Sequence, residues 1–256
     1  MVGKLWKFNS LMSIQNQTEY LKLIVEVNRL RNQIHIFDSE EISESALDDL
    51  KHKITQYEIQ NPDLISSNSP NFTVAGGVAK DFEKFTHTER MLSLNDIFDF
   101  QELVDWEQRY LDYAKKELNE TTLEKQGYIC EPKLDGLAIS LHYKQGELTT
   151  AATRGDGYVG ENVTENVRQI RSIPRIISDR RELEVRGEVF LTRKHFENLN
   201  QDIKIGTKIG RAGKTGPEFT FANPRNAASG TLRQLNSAIV GDRNLSFIAY
   251  WIKIKD

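Results

Sequence analysis

An α+β fold, with an antiparallel sheet and an amino-terminal helical hairpin, follows from three features of the sequence. Two early stretches, Ser13 to Ile34 and Ser43 to Asn61, carry apolar residues at helical spacing. After Gly127 the period drops to two, with Leu137, Ile139, Leu141 and Tyr143 alternating with smaller or polar residues. That run closes through Gln145-Gly146 straight into Leu148, and no strand–helix–strand repeat follows it.

The first helix is carried by Leu21, Ile24, Val25 and Leu30, the second by Leu47, Leu50, Ile54 and Tyr57. The second ends at Asn61-Pro62, because proline cannot continue a helix. Polar residues from Ser66 to Asn71 and then Gly76-Gly77 break the pattern, which sets a boundary between a lobe of residues 1–70 and a domain of residues 71–256. A third helix starts at Asp99, with Glu102 completing a capping box and Leu103, Trp106, Tyr110, Leu111, Ala114 and Leu118 on one face. Tyr128 and Cys130 predict a strand just before the one at Leu137. A helix opens near Glu161-Asn162, and further strands are expected at Leu183 to Leu191 and Leu245 to Ile254. The stretch Ile205 to Gly216 reads as a solvated, mobile loop. In the last strand Phe247, Ala249, Trp251 and Ile254 look half-buried, and with no later strand to cover it an edge with exposed apolar side chains is expected.

Composition narrows the function classes. One cysteine, Cys130, rules out an internal disulfide framework and a multi-cysteine zinc site within these 256 residues. No apolar run has the length of a membrane span and no secretory signal is recognisable, which predicts a cytoplasmic protein. The net charge of −3 argues against binding nucleic acid by bulk charge, yet Lys204, Lys208, Arg211, Lys214, Arg225 and Arg233 place a phosphate-tracking surface in the second half.

Glu131-Pro132-Lys133-Leu134-Asp135-Gly136 is expected to put a lysine on a tight turn between strands. A lysine nucleophile must be neutral, so the ordinary lysine pKa of ~10.4 has to be lowered by desolvation or a nearby cation. Alone, Lys-x-Asp-Gly is also an ordinary exposed turn. Ala152-Thr153-Arg154-Gly155-Asp156-Gly157 adds a guanidinium in a Gly-rich loop, suited to a phosphate or ribose hydroxyl. Leu183 to Val189 adds the carboxylate of Glu188 on a strand, and Phe221 to Gly230 with Arg233 adds two guanidiniums on small-residue backbone.

In this order the segments from Met91-Leu92-Ser93-Leu94 to Leu235 closely resemble the nucleotidyltransferase domain of bacterial NAD-dependent DNA ligases. The resemblance implies an ATP-grasp-like ligase domain whose lysine attacks the α-phosphate of NAD, expels NMN and carries AMP to a 5′-phosphate at a nick in double-stranded DNA, with Mg²⁺ assisting. It implies Lys133 as nucleophile, supported by Asp135. Glu131 would recognise adenine and Ser93 and Leu94 would lie beside the nucleotide. Arg154 and Glu188 would contact the ribose and the reacting phosphate region, and Arg225 and Arg233 phosphate and DNA.

In the family the amino-terminal hairpin clamps the NMN half of NAD. Here His35 and Asp48 are kept, Glu44 stands for an aspartate, and Ile34 and Leu47 replace tyrosines. Each lost aromatic contact is expected to weaken NAD binding by roughly 1 to 2 kcal/mol. The family's two later lysine motifs, its oligonucleotide-binding barrel, zinc finger and helix-hairpin-helix modules are absent from this sequence, so a separate chain could supply them. Two other readings stand beside this one: an ATP- or GTP-using nucleotidyltransferase, and a silent module that binds nicked DNA or a partner protein.

Overall fold

The computed structural model describes residues 14–37, 42–73, 82–119 and 127–255. The chain divides into two compact units, Met1–Met91 together with Asp135–Asp256, and Leu92–Leu134. Within the first unit, helices α1 (Gln17–Phe37) and α2 (Glu44–Gln60) form the expected hairpin. Ser43 caps α2 by accepting the Ala46 N–H. Tyr20, Leu23, Ile24, Val27, Leu30, Leu47, Ile54 and Tyr57 make a core of their own, with the rings of Tyr20 and Tyr57 stacked at 4.7 Å. The Tyr20 hydroxyl donates to the buried Glu58 carboxylate at 2.7 Å and accepts from the Ser66 N–H, which ties the chain after the hairpin to its core. Arg31 adds a second tie, donating to the carbonyls of Pro70 and Thr73.

Strand β1 (Lys84–Thr86) precedes β2 (Leu137–Lys144), β3 (Glu147–Thr153), β4 (Val159–Glu161), β5 (Glu182–Phe190) and β6 (Ser246–Lys255). The main sheet has the order β3-β2-β5-β6 and is antiparallel throughout, whereas among the described residues β1 pairs only with β4. The molecule is a mixed helix and antiparallel-sheet, α+β structure. Gln145 and Gly146, at φ 53° and 83°, make the tight β2–β3 turn, since both central positions of that hairpin type need left-handed backbone.

One face of the sheet is apolar. Ile139, Leu141 and Tyr143 on β2 and Leu183 and Val189 on β5 are buried against Val167 of α4 (Thr164–Val167), Leu199 and Ile203 of α5 (Arg193–Lys204), Ala227, Ala228 and Leu232 of α6 (Pro224–Leu232), and Val240 of α7 (Ser237–Asp242). The opposite face carries Ser140, His142, Glu184, Arg186 and Glu188, which share register positions across β2 and β5.

Three expectations change. Residues 127–135 form no strand, and Ile129 is 91 % exposed, so the alternation at Tyr128 and Cys130 reflects no sheet pairing. Ile205 to Gly216 is a tied loop: Gly216 N–H donates to Ile203, Gly210 N–H to Lys214, and the Ile209 carbonyl accepts from Arg243. In β6 a register shift opposite Arg186/Gly187 breaks strict alternation, so Trp251 faces Arg186 rather than the core and Ala249 and Ile254 are exposed. Among the described residues β6 pairs only with β5, and Ile248, Tyr250 and Ile252 are exposed along this edge.

The Leu92–Leu134 unit contains α3 (Phe100–Glu117). Asp99 accepts the Glu102 N–H at 2.8 Å as expected, and Glu102 reaches back to the Phe98 N–H, one residue before the cap. Trp106 stacks on Tyr110 and lies 5.8 Å from the Tyr128 ring, joining the helix to the returning chain.

Candidate active site

The Glu188 end of β5 and the loops at its edge supply the candidate site within the larger unit. Arg154 follows β3 in the turn Arg154-Gly155-Asp156-Gly157, whose backbone is fixed by Asp156 accepting the N–H groups of Tyr158 and Val159. Gly155 has φ 58°, and a Cβ there would sit 1.8 Å from the Val159 carbonyl oxygen, so only glycine permits this loop. The Arg154 N–H donates to Ala138 on β2, which brings its side chain to the sheet end where Glu188 pairs with Ala138. Burial lowers the Arg154 pKa first and repulsion from Arg225 adds to this, while Glu188 and Tyr250 act in the opposite sense. Arg154, Arg225, Glu188 and Tyr250 are therefore electrostatic neighbours. Tyr250 as a residue is 57 % exposed, and the partial burial of its hydroxyl end, followed by Glu188, raises its phenol pKa.

Arg225 lies in the first turn of α6, which Asn223 caps by accepting the Asn226 N–H. It donates to the Asp135 carboxylate at 2.8 Å, just where the chain returns from the smaller unit. Gly136 follows because a Cβ there would lie 2.1 Å from the Val189 carbonyl oxygen, so β2 can begin against β5 only with glycine at this point. Arg233, one residue past α6, donates through Nε to the buried Glu161 at 2.8 Å and through Nη1 to Ser229, with 24 % of its side chain exposed. Its guanidinium thus already has a protein partner.

Ser93, Leu94, Glu131 and Lys133 belong to the smaller unit, all on exposed chain outside helices and strands. Lys133 sits two residues before Asp135 rather than on a strand-to-strand turn, since residues 127–135 form no strand. In the hairpin Asp48 pairs with Lys51 at 3.4 Å and remains half exposed, whereas Leu47 is buried in the hairpin core. A leucine suits that position because it packs. The side chains of His35, Glu44 and Ile34 lie outside the described residues.

The family model of the NAD-dependent DNA ligase adenylation domain matches residues 79–256. The chain belongs to that family. Curated relatives of this ligase family agree: a DNA ligase of Mesoplasma florum is 42% identical over 229 residues, covering 90% of this chain and 32% of that protein. A DNA ligase of Helicobacter hepaticus is 37% identical over 235 residues, covering 91% of this chain and 33% of that protein. The chain spans about a third of the length of the curated relatives it matches. No helix among the described residues is long and apolar enough to cross a membrane.

Sequence reasoning missed two elements of this adenylation-domain face. Tyr250 sits where the β6 register shifts, and strict alternation drew attention to its neighbours instead. Arg186 and Glu184, a buried ion pair at 2.7 Å, were legible only as alternate polar residues on a strand that otherwise looked like core.

Proposed function

We propose that this chain is the adenylation part of an NAD-dependent DNA ligase, in which Lys133 carries AMP. The observation that carries the reading is that Arg154, Arg225, Glu188 and Tyr250 are electrostatic neighbours at one end of the sheet, all within the residues that the family model matches. An exposed aromatic ring offers a stacking surface for adenine, a carboxylate offers acceptors for ribose hydroxyls, and paired guanidiniums suit non-bridging phosphate oxygens. These donors fit NAD.

In the reaction, the neutral Lys133 amine attacks the α-phosphorus of NAD. A P–N bond forms, the P–O bond to the NMN phosphate breaks, the amine nitrogen gives up one proton to solvent, and NMN leaves as the phosphate anion. Glu131 recognises adenine beside Ser93 and Leu94, Arg154 and Glu188 hold the ribose and α-phosphate region, and Asp135 supports the chain next to the nucleophile. AMP then passes to the 5′-phosphate of a nick in double-stranded DNA, with Arg225 and Arg233 toward DNA phosphates, and the 3′-hydroxyl displaces it to seal the strand during replication or repair. Mg²⁺ would fit a site of this kind because it takes many of its ligands from substrate phosphates and water, with Glu188 as the carboxylate at this end of the sheet. The fold in this reading is a nucleotidyltransferase domain of the ATP-grasp-like ligase type over residues 71–256, with residues 1–70 as an NMN-binding-like lobe using His35, Glu44 and Asp48, in a cytoplasmic protein.

Incubation with NAD, or with ATP, and Mg²⁺ followed by intact-protein mass spectrometry tests this. Wild type and Lys144→Ala gain an AMP adduct with NAD, and Lys133→Ala gains none. An adduct only with ATP would favour the ATP-using reading, and nick binding without any adduct the silent module.

A further inference from the structure

The chain leaves the larger unit after Met91 and re-enters it at Asp135, and an arginine of the larger unit grips the backbone or side chain at each crossing. At the return, Arg225 holds Asp135. At the departure, Arg186 on β5 donates from Nη1 to the Arg90 carbonyl at 3.1 Å and from Nη2 to the Glu89 carbonyl at 2.9 Å. Its Nε donates to Glu184 at 2.7 Å, and the guanidinium lies 4.4 Å from the Trp251 ring centroid. The Met91 N–H then donates to Gly157 at 2.9 Å, and Lys253 pairs with Glu89.

This grip is too polar to be explained by packing. A buried ion pair contributes less to stability than apolar side chains of the same volume, so its distinctive property is directional geometry. Only the planar fork of arginine can hold two successive carbonyls and a carboxylate at once. The gripped carbonyls lie three and four residues before Ser93, and Glu188 stands two residues further along β5, on the same face as Arg186.

We propose that Arg186 is a positioning residue for adenylyl transfer: by clamping the Glu89 and Arg90 carbonyls onto β5, it sets where the chain departs toward Ser93 and Leu94. The proposal rests on the adenylation function argued above. Arg186 touches no reacting atom, so its loss lowers the rate of the chemical step more than it alters nucleotide affinity.

The test compares R186K, E184Q and the double variant E184Q/R186M in the full chain. Adduct formation is followed by intact mass at several NAD concentrations, together with thermal stability and backbone hydrogen exchange. Lysine keeps the charge and loses the fork. R186K is expected to lower the maximal rate by at least about tenfold while changing the apparent KM for NAD less than about threefold. Its Met91 N–H should exchange faster, whereas amides of the β2–β5 ladder keep their protection. E184Q retains the fork and stays within about threefold of wild type. The double variant removes the fork without stranding a buried charge and must reproduce the R186K loss. Retention of rate by R186K, or losses in R186K and E184Q that merely follow lowered stability, overturns the proposal. If wild type forms no adduct at all, the adenylation reading fails, and the clamp is then judged by exchange: unchanged Met91 exchange in R186K and the double variant overturns it.

Discussion

The two faces of β5 are built from alternate residues of one strand and obey opposite rules. Leu183 and Val189 enter an apolar core, while Glu184, Arg186 and Glu188 turn to a face where the buried groups are polar: charged side chains, imidazole and the Ser140 hydroxyl. On the first face, burial itself stabilises, by roughly 25 cal/mol per Å² of apolar surface. On the second, burial costs free energy, and the groups are held by partners: Glu184 by Arg186, Arg186 by two carbonyls, and His87 by the Thr153 carbonyl at 3.0 Å. A strand that keeps such a face has given up core area in exchange for fixed polar geometry, as a site that must meet a charged ligand requires.

The largest loss of stability should come from stranding a charge on the polar face. Glu184→Ala leaves Arg186 buried without its carboxylate and is expected to cost about 3 to 5 kcal/mol in denaturant unfolding. A cost under ~1 kcal/mol would mean that the pair is solvated in the folded chain. Leu141→Ala, on the core face at 1 % exposure, should cost about 2 to 5 kcal/mol through lost burial and a residual cavity. If the folded fraction of that variant forms the AMP adduct at the wild-type rate, the faces are separable; a lost rate would couple them.

Between about pH 6.5 and 4, acid should act on the two buried histidines of the polar face. Burial pushes the His142 imidazole down to about 4, with Lys255, His87 and Arg186 adding to the effect and Glu184 opposing it, and burial lowers His87 as well. Below an unfolded histidine value of ~6.5 the unfolded chain takes up protons that the folded chain refuses. Stability is therefore complete above that pH and falls as pH drops from about 6.5 toward 4. Melting temperature measured across this range should decline, and His142→Gln should flatten the decline; an equal slope in the variant would place the titration elsewhere. The smallest stability effect belongs to Glu188→Gln, within about 0.5 kcal/mol, because Glu188 is only partly buried. The same change should slow adduct formation clearly, and equal rates would remove Glu188 from the site.

Much of this organisation was legible in the sequence where a local rule decides the outcome. Ser43 and Asp99 cap their helices, Asn61-Pro62 ends α2, and Gln145-Gly146 turns β2 into β3, each through backbone geometry within a few residues. The glycines after Asp135 and Arg154 proved to be sites of close backbone approach, which a motif alone could only suggest. Three features escaped because they depend on distant partners. The run before Lys133 alternates like a strand but pairs with no strand among the described residues. The β6 register shift moves Trp251 onto the charged face beside Tyr250. Arg233 is paired with Glu161, which stands 72 residues earlier. Leu47, read from the sequence as part of the apolar face of α2, is a core residue of the hairpin.

The central claim is that the charged face serves a nucleotide that becomes bonded to Lys133. Peptide mapping of the wild-type chain after incubation with NAD and Mg²⁺ tests it most directly. The account predicts AMP on the peptide containing Glu131-Pro132-Lys133-Leu134-Asp135, at the Lys133 amine and released by acid as a phosphoramidate should be. AMP on any other lysine, or an adduct that persists in Lys133→Ala, would contradict it.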